Sequence, residues 1–103
     1  MRYRISADAD LDLNEIFLYW AERTSLTIAD RLIDGILERF RLLSEFPKAG
    51  RSSGDIAPGV RCFPAGQYLI YYRKVRNYTD ILHIFHGARE QTQAFKKSGK
   101  PRR

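Results

Sequence analysis

The chain reads as an α+β domain, β-α-α-β-β-β in order, with an antiparallel sheet packed against an α-hairpin. Three observations predict this. Apolar residues recur at steps of three and four over residues 7–23, and again from Ala29 to Leu43. Only Thr24-Ser25 breaks the two runs, which is room for a tight antiparallel turn and little else. Beyond a glycine- and serine-rich loop come three β-rich segments, whose links are too short for parallel crossovers.

Each element has its own signal. Arg2 to Ser6 alternates around Tyr3 and Ile5, the pattern of a short opening strand. Ser6 then caps a helix, with Asp8 and Asp10 placed to complement the positive end of its dipole. Ala9, Leu13, Ile16, Phe17 and Trp20 give that helix one apolar face. Thr24-Ser25 supplies a fresh cap, and Ala29, Leu32, Ile33, Ile36, Phe40 and Leu43 define a second amphipathic helix ending near Phe46-Pro47. From Pro47 to Gly59 the periodicity fails, and the segment is expected to be loop. The meander strands are Val60–Phe63, Tyr68–Arg73 and Asp80–His86, with turns at Pro64-Ala65-Gly66 and Arg76-Asn77. Glu90 to Lys97 is expected to form a terminal turn or short helix. One domain over residues 1–95 and a basic tail over 96–103 account for the chain.

With 103 residues, 44% of them hydrophobic and 13% aromatic, the chain can bury a real core. No run approaches the roughly 20 apolar residues a bilayer demands, so no membrane role is expected. The basic start lacks the apolar stretch of a secretory signal, and the expected location is the cytoplasm. The net charge of +6 is unevenly spread. Residues 1–45 carry 6 basic and 9 acidic side chains, residues 46–95 carry 7 and 3, and the last eight residues add 5 more cations. A basic back half attracts phosphates or an acidic partner. Lys48 and Arg51 in the long loop are candidates for contacting one.

Most chemistries find little support. The single Cys62 excludes an internal disulfide and sits in an apolar strand, as a buried structural thiol does. The two histidines, His83 and His86, are three apart on a strand and therefore on opposite faces, so no metal site and no cofactor are expected. The loop lacks a Gly-Lys-Ser/Thr phosphate signature. The helical carboxylates, Asp8/Asp12, Asp30/Asp34 and Glu38/Glu45, are expected on solvated faces. What remains is Arg61, Arg73 and Arg89 with His86: converging at the sheet ends, they would hold a scissile phosphate and supply a general acid. Tyr68, Tyr71 and Tyr72 either offer base-stacking faces or pack against the helices, and the arginines either bind phosphate or pair with Asp55 and Asp80. Leucines left over from the two apolar faces, Leu11, Leu18, Leu37 and Leu42, are candidates for a groove that a partner fills.

Several segments in order carry a resemblance. They are the opening Tyr3-Arg4-Ile5-Ser6, Ala9-Asp10-Leu11-Asp12-Leu13-Asn14-Glu15-Ile16, Phe46-Pro47, Gly50-Arg51, Gly59-Val60-Arg61, Tyr68-Leu69-Ile70-Tyr71-Tyr72-Arg73 and His86-Gly87-Ala88-Arg89. Over about residues 1–95 the chain resembles the ParE/RelE toxin superfamily of type II toxin–antitoxin systems, in its ParE branch. The resemblance implies a bacterial or archaeal growth inhibitor that binds and poisons DNA gyrase and is neutralised by a ParD-like antitoxin. The alternative within the superfamily is a RelE-like ribosome-dependent mRNA endonuclease, with the ribosome and mRNA as partners. Carried over residue by residue, Arg61, Arg73 and Arg89 fall at basic positions of the RelE pattern, and His86 is the available acid. Where that pattern has a tyrosine six residues beyond the last arginine, this chain has Phe95, which can stack but cannot move a proton.

Overall fold

The computed structural model describes residues 2–87. In chain order these form β1 (Tyr3–Ile5), α1 (Ala7–Arg23), α2 (Leu26–Glu45), β2 (Arg51–Ser52), β3 (Val60–Ala65), β4 (Tyr68–Val75) and β5 (Tyr78–His86). The residues expected as a C-terminal turn or helix, and the basic tail, lie outside the described residues.

Both helices start where their caps dictate. Ser6 and Ser25 are extended, and each hydroxyl accepts an amide of the first turn, from Ala9 and Ile28 respectively. Ser6 does more than cap. Its amide donates to Ile81 O and its hydroxyl to Leu82 O, each at 3.0 Å, so the α1 entry is stitched to β5.

The α+β architecture is the expected one, and the strand order is β1-β5-β4-β3-β2. The three meander strands pair antiparallel as foreseen, with two additions. β1 runs parallel to β5, so the sheet is mixed rather than wholly antiparallel. That pairing is possible because the intervening α-hairpin returns the chain across the sheet before the meander begins. β2, inside the segment expected to be loop, pairs with β3 through only two residues and adds an edge.

The sheet separates two apolar clusters. On the helix face, Leu13 and Ile16 of α1 and Ile36, Phe40 and Leu43 of α2 meet Ile70, Tyr72, Ile81 and Ile84. On the outer face Val60, Cys62, Tyr71 and Phe85 cluster, with Ile56 and Ala57 of the long loop packed against them. A bulge in β5 sets this division: Tyr71 pairs with His83 but Tyr72 with Ile81, so Leu82 is extra. Ile81 and Ile84 thereby reach the same face although three apart.

Leu37, expected in a partner groove, packs against the helix-side cluster instead. Leu11, Leu18 and Leu42 are exposed. Tyr68, Tyr71 and Tyr72 are all buried, which removes them as base-stacking platforms.

Candidate functional site

Arg61 projects to the helix side of β3, opposite Tyr72, and its guanidinium donates to Gly50 O at 2.6 Å. Arg73 is across from Val60, on the outer face, with its stem beside Gly59. Arg51 shares that outer face, paired with Cys62, and Lys48 is exposed in the preceding loop. His86 stands at the other end of β4, opposite Tyr68. Tyr68 and Arg73 are five residue steps apart along β4, about 17 Å of extended chain. Arg61, Arg73 and His86 therefore do not converge, and Arg89 lies outside the described residues. Among the described residues neither Arg61 nor Arg73 is in an ion pair. The buried Asp80 instead lies 3.6 Å from Arg4 Nε.

The potential nucleophile is inert. Burial pushes the Cys62 thiol up, against smaller pulls the other way from a hydrogen bond with Tyr71 and from Arg51. A protonated, buried thiol is neither nucleophile nor ligand. Burial likewise raises Tyr72, whose hydroxyl accepts the Gly50 amide and donates to Pro47 O, both at 2.8 Å. This one phenol ties the start of the long loop to the sheet.

The two histidines do lie on opposite faces. His83 stacks on Phe85 of the outer cluster, with centroids 4.7 Å apart, and His86 meets Tyr68 edge-on at 5.5 Å. His83 is also where the solvated-carboxylate expectation fails. Its Nδ1 is 3.0 Å from Asp12 Oδ2 and its Nε2 is 3.6 Å from Asp8 Oδ2. Asp12 also accepts the Ile84 amide at 2.9 Å. Among the described residues the edge of β5 has no strand partner past Ile81, because β1 has ended, and an α1 carboxylate takes its place. The ring bridges its two carboxylates through opposite nitrogens. Among the described residues no group of side chains converges as metal ligands.

What the fold does assemble is a concave surface beside α1. A cavity of about 420 Å³ opens between the inner flank of α1 and the adjoining ends of β4 and β5. Its walls include Asp12, Glu15, Tyr19, Trp20, Tyr68 and His86. Trp20 Nε1 donates to the Tyr68 hydroxyl at 2.8 Å, joining helix to sheet at the cavity floor. His86 Nε2 and Gln67 Oε1 are 3.2 Å apart on the far wall. A second hollow of about 280 Å³ runs between α2 and the β3–β4 turn, so Tyr68 borders both. Sequence reasoning missed this groove. Trp20, on the apolar face of the first helix, is only partly buried against the core, and nothing local to Asp12 or Glu15 places them opposite Tyr68.

Known proteins share this fold. The family described as ParE toxin of type II toxin-antitoxin system, parDE, matches residues 3–91. Toxin ParE3 of Caulobacter vibrioides is 32% identical over 76 residues, covering 74% of this chain and 76% of that protein. Toxin ParE1 of Mycobacterium tuberculosis is 27% identical over 86 residues, covering 82% and 88%. Among solved structures, a chain of a chromosomal ParDE TA system from P. aeruginosa superposes with a TM-score of 0.73 at 20% identity, over 84% of this chain and 95% of that one. With the match spanning nearly all of the described fold, the chain belongs to the ParE toxin family of type II toxin–antitoxin systems.

Proposed function

We propose that this protein inhibits growth by binding and poisoning DNA gyrase, and that a ParD-type antitoxin silences it by docking on the toxin. The observation that carries the proposal beyond family membership is the separation of the basic residues a nuclease would need. Arg61 is engaged by Gly50 O, Arg73 is on the other face, and His86 is at the far end of the sheet. General acid catalysis requires the acid within hydrogen-bond reach of the leaving oxygen while a cation holds the same phosphate. Inhibition by binding needs no such convergence. It needs exposed contact residues, and Leu11, Leu18, Lys48, Arg51 and Arg73 provide apolar and cationic ones.

The test is supercoiling of relaxed plasmid by purified gyrase and ATP, with and without the protein freed from antitoxin. Lost supercoiling or accumulating cleaved plasmid is the expected result. Unaffected gyrase, with the protein folded and still able to bind antitoxin, would overturn the gyrase target. Cleaved mRNA on translating ribosomes would then identify the endonuclease alternative.

A further inference from the structure

We infer that the cavity between α1 and the ends of β4 and β5 is a receptor for a guanidinium group, an arginine side chain presented by the polypeptide that docks on this face. The inference rests on the antitoxin-binding reading for the source of that arginine, but the chemistry of the cavity is its own argument.

The walls combine the two features that recognise an organic cation. The accessible aromatic rings come from α1, the exposed Tyr19 and the half-buried Trp20, with the buried Tyr68 of β4 as their packing partner rather than an open face. Trp20 and Tyr19 meet edge-to-face at 5.4 Å, so their planes differ and they form a corner rather than a flat stack. A guanidinium over such faces gains from the ring quadrupoles, and gains more where water is displaced. A carboxylate completes the set. Glu15 lies on the same flank of α1 as Tyr19 and, among the described residues, is in no ion pair, whereas Asp12 beside it is already held by His83 and the Ile84 amide.

Tyr19 already demonstrates the preference. The Arg23 guanidinium covers one of its faces at 3.8 Å from the ring centroid. The electrostatic setting agrees, against the sign of the whole protein. α1 holds Asp8, Asp10, Asp12, Glu15 and Glu22 against the single Arg23, whereas the chain overall is +6. An acidic segment would be attracted to the basic back half but repelled here, so a partner crossing both regions must change sign along its length. The cavity's volume of about 420 Å³ suits one long side chain rather than a helix.

The experiment titrates N-acetyl-arginine amide into the full-length protein and follows the Trp20 indole N–H by NMR, with N-acetyl-norleucine amide as the uncharged control. Saturable shifts of the indole signal at millimolar arginine amide are expected, with none from norleucine amide. Glu15→Gln, at an exposed position, should weaken the arginine probe at least fivefold without altering the fold. The same substitution should weaken the cognate antitoxin. Equal binding of both probes, no shift of the indole signal into the tens of millimolar, or an unchanged Glu15→Gln titration would each overturn the inference. Failure of the unaltered toxin to bind any ParD-type protein is a separate result. It would overturn the antitoxin reading, and with it the source of the arginine, whatever the probe does.

Discussion

Asp12 on α1 holds two groups of β5 with one oxygen: its Oδ2 accepts the Ile84 amide at 2.9 Å and stands 3.0 Å from His83 Nδ1. The amide belongs to a strand edge that β1 is too short to cover, and the imidazole is almost fully buried. A carboxylate here therefore satisfies a backbone donor and a ring nitrogen that would otherwise be shut away from water.

Asp12→Ala should accordingly lower stability by about 1–3 kcal/mol, the range for stranding buried donors. Asp12→Asn keeps an acceptor for the Ile84 amide and should lose less. Urea unfolding followed by tryptophan fluorescence measures both. Equal losses would mean that the charge, not the acceptor, is what matters.

Gly50 has no room for a side chain. A Cβ there would sit 2.6 Å from the Tyr72 hydroxyl and 2.7 Å from Cys62 O, and the latter is backbone that cannot swing aside. Gly50→Ala should destabilise by roughly 1–3 kcal/mol through overpacking. Tyr72→Phe should lose a similar amount by another route, leaving the Gly50 amide without its acceptor. The double variant should cost less than the two losses summed, because removing the hydroxyl relieves part of the clash.

Alkaline pH should unfold the protein earlier than carboxylate or lysine chemistry would suggest. Burial raises both Tyr71 and Tyr72 in the folded state. A raised folded value means that the stability is fully present below the unfolded tyrosine value of about 10 and is lost as pH climbs past it toward the folded values. Thermal midpoints should begin to fall above about pH 8.5, where the unfolded Cys62 thiol ionises and the buried one does not, and fall more steeply past about 10 as the tyrosines follow. A flat profile to pH 11 would contradict the burial of these phenols.

Cys62 should resist thiol reagents in the native state and react at once in denaturant. It is 2% exposed and its thiol is held protonated by burial. Fast native labelling at pH 8 would show that the outer cluster opens readily.

Exposed leucines separate binding from folding. Leu11→Ala with Leu18→Ala should leave stability within about 0.5 kcal/mol, since both are more than half exposed. Under the proposed function the pair should weaken antitoxin or gyrase binding. Unchanged affinity for both partners would remove these leucines from the contact surface.

Much of this structure is legible in the sequence, and the rest fails for identifiable reasons. The helices were legible because Ser6, Ser25 and the apolar spacing are local signals, and both observed helices begin just after those caps. The meander was legible because its turns carry Gly66 and Arg76-Asn77, with positive φ at Gly66 and Arg76. The parallel β1–β5 pair was not, because Tyr3 meets Thr79 across most of the chain. Asp12 looked like a surface acid for the same reason: one of its partners is a backbone amide 72 residues away, which no side-chain pattern announces. A weak clue was present. Asp12 precedes Ile16 by one helical turn, beside the buried stripe, whereas Leu11 and Leu18 face away. The groove stayed hidden because Trp20 and Tyr68 meet only after the sheet is assembled.

The stitching of the first helix to the last strand has a consequence for how the protein is made. Ser6 and Asp12 hold partners at Leu82 and Ile84, contacts with nearly the longest sequence separation the described fold allows. A growing chain that has released only its first 60 residues has a helical hairpin with no meander to seat it on. Most of the stability of an amphipathic helix comes from packing its apolar face, and the sheet that seats these two waits for β5. The cavity along α1 thus comes into being only once β5 has been made, because its far wall and the partners of Ser6 and Asp12 belong to that strand.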